Sequence, residues 1–332
     1  MAILVTGAAG FIGAATADAL LGAGETVVGI DNLSPYYDPA LKRARVDRLA
    51  AAHGDAFRFI GLDFADPAAL GAALDGIELY RIVHLGAQAG VRHSIDNPAA
   101  YIQSNLVGHA NLLELARARR VGHFVYASSS SVYGANKSLP FRVEDRVDHP
   151  VSLYAATKKA GELMSEAYAS LYRLPMTGLR FFTVYGPWGR PDMALWKFTA
   201  ALLAGAPLPL FNGGEMRRDF TFIDDIVAGV TACLGRPPVD DGAVKAGGSQ
   251  APHALYNLGN SRSEDLMRVV EVLEAATGKK ALLSPEPMQA GDVKDTFADI
   301  SAATRDLGFN PRVTIDDGIP RFVAWYRDYH HI

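Results

Sequence analysis

The sequence predicts an α/β fold, with a doubly wound parallel sheet in the first half and a smaller mixed α/β lobe in the second. Short runs rich in Val, Ile and Phe recur without polar alternation, as parallel strands covered on both faces require. Helical segments fall between these runs, the alternation that right-handed crossovers need. A length of 332 residues suits one large α/β unit or two lobes.

The strands expected in order are Ile3–Thr6, Thr26–Asp31, Phe57–Leu62, Arg81–Leu85 and His123–Ser128. Helices are expected over Gly10–Leu21, Pro67–Leu74, Tyr101–Arg119 and Tyr154–Tyr172, and Met176–Val184 reads as a further strand. Beyond it Gly and Pro become frequent, with helices around Leu195–Ala204, Asp225–Leu234, Glu264–Thr277 and Ser301–Leu307. This places one domain over residues 1–175 and mainly a second lobe over 176–332, with some segments returning to the first. The Gly-, Ala- and Pro-rich stretch Pro237–Ala254 reads as a mobile loop.

Apolar residues make up 49% and charged residues 20%, enough for a full core and against disorder. The formal net charge of −4 gives no reason to expect nucleic acid or an anionic membrane as partner. No run of about 20 uncharged apolar residues appears. The chain opens directly on a strand without a basic and then apolar leader, so the cytoplasm is the expected location. The single cysteine, Cys233, excludes an internal disulfide and reads as an inert buried thiol. His84, in an apolar strand, reads as a core histidine, and Asp224-Asp225 as a helix cap before a frayed His330-His331 terminus further on. No ligand spacing points to a metal.

Gly7-Ala-Ala-Gly10-Phe11-Ile12-Gly13 follows the first strand and opens a helix. Gly7 permits a tight turn, Gly10 a close backbone approach to a pyrophosphate, and Gly13 close helix–sheet packing. Asp31, followed by Asn32, ends the second strand where an acid hydrogen-bonds a ribose diol. A carboxylate there repels a 2′-phosphate, which argues for NAD over NADP. Asp63, followed by Phe64, is a candidate for the adenine amino group, with turn capping as an equal alternative. The small residues of Gly86-Ala87-Gln88-Ala-Gly90 would let a cofactor lie on the strand tips.

Ser129-Ser130-Ser131-Val-Tyr133-Gly ends the fifth strand, and Tyr154-Ala-Ala-Thr-Lys158 lies downstream. Tyr154 and Lys158, four apart on a helix, share one face. An ammonium and an oxidised nicotinamide both favour the phenolate, and Ser129 can bond the same substrate oxygen. The group suits removal of a hydroxyl proton while hydride leaves the attached carbon.

With these residues the chain resembles the extended short-chain dehydrogenase/reductases that act on nucleotide sugars, over essentially its whole length. The matching residues are Gly7, Gly10, Gly13, Asp31, Asn105, Ser129, Tyr154 and Lys158. The resemblance implies a Rossmann-like domain, firmly bound NAD, a UDP-sugar substrate and a homodimer. Its seam would be a four-helix bundle, made here by the helices starting near Tyr101 and Ser152. In the family's dehydratases an Asp-Glu pair follows the catalytic hydroxyl residue; Ser130 and Ser131 stand there instead, which disfavours elimination. Thr183, Trp-Gly-Arg190-Pro-Asp and Glu215-Met-Arg-Arg218-Asp-Phe-Thr resemble the subgroup that epimerises UDP-glucuronate at carbon 4. That implies Ser130, Thr183 and Arg190 on the sugar carboxylate, where a planar guanidinium fork suits the anion. The alternative for Arg190 is a loop salt bridge. The family further places Arg218 on the diphosphate. Gln289 stands where relatives often carry Arg, in Met288-Gln289-Ala-Gly-Asp292. Arg92 would reach the sugar phosphate or cap a loop, and Phe211 and Asn212 would line the uridine pocket. A neutral-sugar epimerase, a decarboxylase, a dehydratase and a non-catalytic NAD sensor remain as rival readings.

Overall fold

A computed structural model describes all 332 residues except Ala290 and Asp292. Seven parallel strands form the central sheet, in the order His253–Leu258, Met176–Phe181, His123–Ser129, Leu79–His84, Ala2–Thr6, Val27–Asp31, Phe57–Gly61. The chain starts in the middle, builds out to Phe57–Gly61, then crosses back and builds the other way. The order therefore reverses between Ala2–Thr6 and Leu79–His84, and a crevice opens at their carboxyl ends. Along the first strand Ile3 and Val5 join one core cluster while Ala2 and Leu4 join another. Both faces are covered, which is why the strands read as unbroken apolar runs. His84 is buried and hydrogen-bonded to Thr6 Oγ1 at 2.7 Å, a core histidine. Cys233 is buried and free, its thiol pushed up to about 12 by burial. Among the described residues no helix is long and apolar enough to cross a membrane, and no cluster of His, Cys, Asp and Glu can hold a metal ion.

Several expected elements differ. The run Met176–Val184 divides: Met176–Phe181 stays in the sheet, whereas Thr183–Tyr185 pairs with Phe220–Phe222. The backbone changes partners there, Phe182 N donating to Leu258 O and Thr183 N to Asp219 O. The expected helix Tyr101–Arg119 is interrupted by a π turn over Gln103–Val107, whose wide loop turns the Asn105 amide inward. The stretch expected to be a loop to Ala254 ends earlier, because His253 and Ala254 already pair with Met176 and Thr177. The helix expected from Glu264 starts at Leu266, since Glu264–Asp265 pairs with Arg217–Arg218. Asp225 does not cap its helix. It sits in the first turn of Ile223–Leu234 and accepts from the Arg312 and Val313 amides.

Two helices escape the sequence reading, Pro39–His53 and Ile315–His330. Each has a start signal: Asp38 accepts from Ala40 N with Pro39 following, and Thr314 accepts from Asp317 N. Leu41, Arg45 and Leu49 form the buried stripe of the first, but its many charges hide the periodicity. His330 belongs to the second and packs on Trp196 and Tyr326, so it is not frayed.

Candidate active site

At the switch point lies a cleft of about 740 Å³. Gly7, Gly10, Phe11, Ile12 and Gly13 form its floor, with Asp31, Asn32, Phe64, Ala87 and Gln88 around it. Gly7 has φ +69°, and a Cβ there would sit 2.7 Å from Gly86 N on the neighbouring strand tip. A Cβ on Gly13 would strike the Gly7 carbonyl. Neither position admits a side chain, so bare backbone forms the turn at this helix start, and the residues fit a dinucleotide pyrophosphate. The Asp31 carboxylate is buried and accepts from Ala9 N at 3.2 Å and Leu33 N at 2.8 Å. Burial pushes it above the usual carboxylate range, against the charge of Lys42 and these bonds.

Two expected cofactor residues lie outside the lining of the cleft. Asp63 is not among the lining residues; it accepts from Ala65 N at 2.9 Å, as a turn cap does, and from Nδ2 of the lining residue Asn32 at 3.1 Å. Asn105 is buried outside the lining and bonds both Gln88 N and Gln88 O, which fixes the segment that does line it.

Ser129, Tyr154 and Lys158 meet in the middle of the cleft. Ser129 ends a sheet strand. Tyr154 and Lys158 stand on the helix Leu153–Tyr172, which Ser152 starts by accepting from Ala155 N. Lys158 Nζ donates to Ala127 O at 2.8 Å and lies 6.0 Å from the centre of the Tyr154 ring. Burial lowers the Lys158 ammonium to about 8. Burial also raises the Tyr154 phenol, against a hydrogen bond with Ser129 and the charge of Arg190. The phenol therefore keeps its proton until further positive charge arrives. One helical turn beyond Lys158, Glu162 accepts from Arg180 at 2.8 and 2.9 Å and from Ser128 Oγ at 2.7 Å. This buried pair locks two strands to the helix and so sets the spacing of Ser129 and Tyr154.

Ser130, Thr183, Arg190, Phe211, Arg92 and Arg218 line the far end. The Arg190 fork grips Asp192, with Nε donating at 3.0 Å, and Tyr36 donates to the same carboxylate at 3.0 Å. Burial alone would lower Arg190 and raise Asp192, but their mutual charge and hydrogen bonds outweigh it in both. Arg190 thus has an ion-pair partner and still faces the cleft. Arg92 stacks over Phe211 at 4.6 Å. Asn212 and Gln289 are not lining residues, and Asn212 folds back to donate to Glu215 O. Asp292, in the same segment as Gln289, lies outside the described residues. Sequence reasoning missed Tyr36, Lys42 and Asp192, all in the lining. The first two flank an unrecognised helix start, and Asp192 stands two residues past Arg190 in the quoted run.

The profile of the NAD dependent epimerase/dehydratase family matches residues 3–246. The chain belongs to this family. It is thus an NAD-dependent enzyme of the isomerase class. A probable UDP-glucuronate 4-epimerase of Rhizobium meliloti (strain 1021) is 46% identical over 332 residues, covering 98% of this chain and 97% of the relative. The crystal structure of UDP-glucuronic acid 4-epimerase from Bacillus cereus, with UDP-glucuronic acid and NAD, superposes with a TM-score of 0.87 at 33% identity, covering 99% and 100% of the two chains. UDP-glucose 4-epimerase from Thermotoga maritima, with UDP-glucose, also gives 0.87 at 28% identity, covering 99% and 100%. The family fold is thus common to acid and neutral substrates, and local side chains must decide between them.

Proposed function

We propose that this family member interconverts UDP-glucuronate and UDP-galacturonate, acting in the cytoplasm as a homodimer. The observation that carries the reading is Arg190, a half-buried guanidinium in the cleft whose charge reaches Tyr154. A neutral hydroxymethyl group would need no cation there. Residues 1–175 mainly hold the cofactor and 176–332 mainly the nucleotide sugar. Exposed Ile102 and Val107, at the π turn, and Leu163, on the helix Leu153–Tyr172, support a helical seam between copies. Light scattering of the purified protein tests it: a monomeric mass removes the seam.

In this reading Gly7, Gly10, Phe11, Ile12, Gly13, Asp31, Asn32, Phe64, Ala87 and Gln88 hold NAD, with Tyr154 and Lys158 at its reactive end. Bound NAD would supply the hydride acceptor and donor for carbon 4 and positive charge beside the phenol. Tyr154 takes the proton of the 4-hydroxyl, and Ser129 bonds the same oxygen. Lys158 stabilises the phenolate, and Ala127 O fixes its ammonium. Arg218 and Arg92 neutralise the diphosphate, and Phe211 packs on the uridine. Ser130, Thr183 and Arg190 hold the carboxylate. The oxidised sugar is a β-keto acid that loses carbon dioxide readily, so fixed donors must keep the breaking bond out of line with the ketone. Ser130 and Ser131 supply no general acid for elimination.

One assay decides most of this: purified protein with UDP-glucuronate, UDP-glucose and UDP-galactose, products resolved chromatographically. Turnover of the acid supports the reading, and turnover of UDP-glucose alone overturns it. That second outcome has a specific basis, since Asp192 already occupies the Arg190 fork. Arg190→His should raise a UDP-pentose by-product or abolish binding of the acid. Unchanged affinity and product ratio sink the assignment of Arg190.

A further inference from the structure

Arg45 is fully buried on the helix Pro39–His53, outside the catalytic group. Among the described residues no carboxylate forms an ion pair with it. Its guanidinium instead donates to neutral oxygens: Nε and Nη2 to Trp188 O at 3.1 and 2.6 Å, Nη2 to Gly189 O at 3.0 Å, and Nη1 to Ala9 O at 2.9 Å and to the Tyr37 hydroxyl at 2.8 Å. All five donors of the fork are used, an arrangement a lysine cannot copy.

The carbonyls belong to two separate loops. Ala9 lies between Gly7 and Gly10, in the cradle for the pyrophosphate. Trp188 and Gly189 immediately precede Arg190. Their loop is tight and irregular, with Gly189 N donating to Gly186 O and Trp188 at φ +63°, a conformation costly for a tryptophan. A backbone held in that shape needs something that over-determines it. Arg45 does so from beneath, and the Trp188 ring is packed by Trp325 and Tyr329 from outside.

We propose that Arg45 is a positioning residue for the acid group of the substrate. It ties the backbone that carries Arg190 to the loop that carries the cofactor, and so fixes the guanidinium relative to the sugar ring. A buried cation satisfied by carbonyls and one hydroxyl is costly compared with an apolar side chain, so packing alone does not explain it. The inference rests on the reading that Arg190 holds the sugar carboxylate.

The test compares a ligand with the carboxylate and one without, on the NAD-loaded enzyme: KM for UDP-glucuronate, and Ki for UDP as competitor. Arg45→Lys should raise that KM about tenfold and leave the Ki within about twofold. Arg190→Ala should raise the KM alone, and adding Arg45→Lys to it should change nothing more, because both act through one contact. If Arg45→Lys does not give folded, NAD-loaded protein, Tyr37→Phe removes one of the five bonds and should raise the KM less, again without moving the Ki. KM and Ki rising together, or an unmoved KM, assign Arg45 to folding alone and overturn the proposal. An unmoved KM in Arg190→Ala instead overturns the acid-holding role of Arg190, and the role of Arg45 with it.

Discussion

At the cofactor end of the cleft, Gly7 and Asp31 sit at strand tips whose places are set by sheet register, and Gly13 lies in the helix packed against the Gly7 backbone. At the sugar end, Thr183, Arg190 and Arg218 come from short strands and turns, and side chains hold them: Asp192 and Tyr36 on Arg190, Arg45 on the turn before it. Register tolerates almost no change at the first end, because backbone meets backbone there. Side-chain scaffolding at the second can be altered residue by residue. This difference is how one fold serves several sugars with one cofactor.

The comparison can be broken at its pivot, where both ends meet. Tyr154→Phe should lower kcat by about 10²–10⁴-fold while NAD stays bound, measured by epimer formation and by cofactor content after gel filtration. Loss of NAD in that variant would make the phenol part of the cofactor end. Gly13→Ala should destabilise by about 1–3 kcal/mol and release NAD, because the added carbon meets the Gly7 backbone. A variant with normal thermal stability and a full complement of cofactor would show that this end yields as the other does.

Lys158→Met should end turnover yet raise stability at pH 7 by about 1–2 kcal/mol, less what the Ala127 carbonyl loses. Burial lowers Lys158 to about 8 from an ordinary 10.5. Between those values the unfolded chain still carries a proton that the folded chain has released, so the wild type gains stability as pH rises through the window. The advantage of the variant should therefore shrink between pH 8 and 10.5 in thermal melts. The smallest effect is expected at the sugar end. Asp192→Asn removes a charge that competes with the substrate acid, and KM for UDP-glucuronate should fall a few-fold at low salt. KM for UDP-glucose, where it turns over, should not move.

The same contrast governs what could be read before folding. The glycine run, Asp31 and the Tyr154–Lys158 pair are legible because strand tips and helix periodicity place them at fixed spacings. Arg190 needed a resemblance, since nothing periodic locates a turn residue, whereas Ser129 is marked by the serine cluster that closes its strand. Asn105 stands at the right chain position but is buried beside Gln88 and not in the lining, a distinction that spacing does not encode. The helix holding Arg45 went unseen because an arginine occupies the middle of its buried stripe. Asp192 stood in plain view beside Arg190, but a pair two residues apart in a loop leaves no signal of which way either side chain turns.

The packing of Trp325 and Tyr329 on Trp188 joins the last helix to the turn before Arg190 through a single indole. Replacing Trp325 or Tyr329 by Ala would leave Ser129, Tyr154, Lys158 and the glycine cradle in place while the turn before Arg190 lost part of its outer brace. In the proposed reading such a variant would keep its coenzyme yet discriminate poorly between charged and uncharged hexoses.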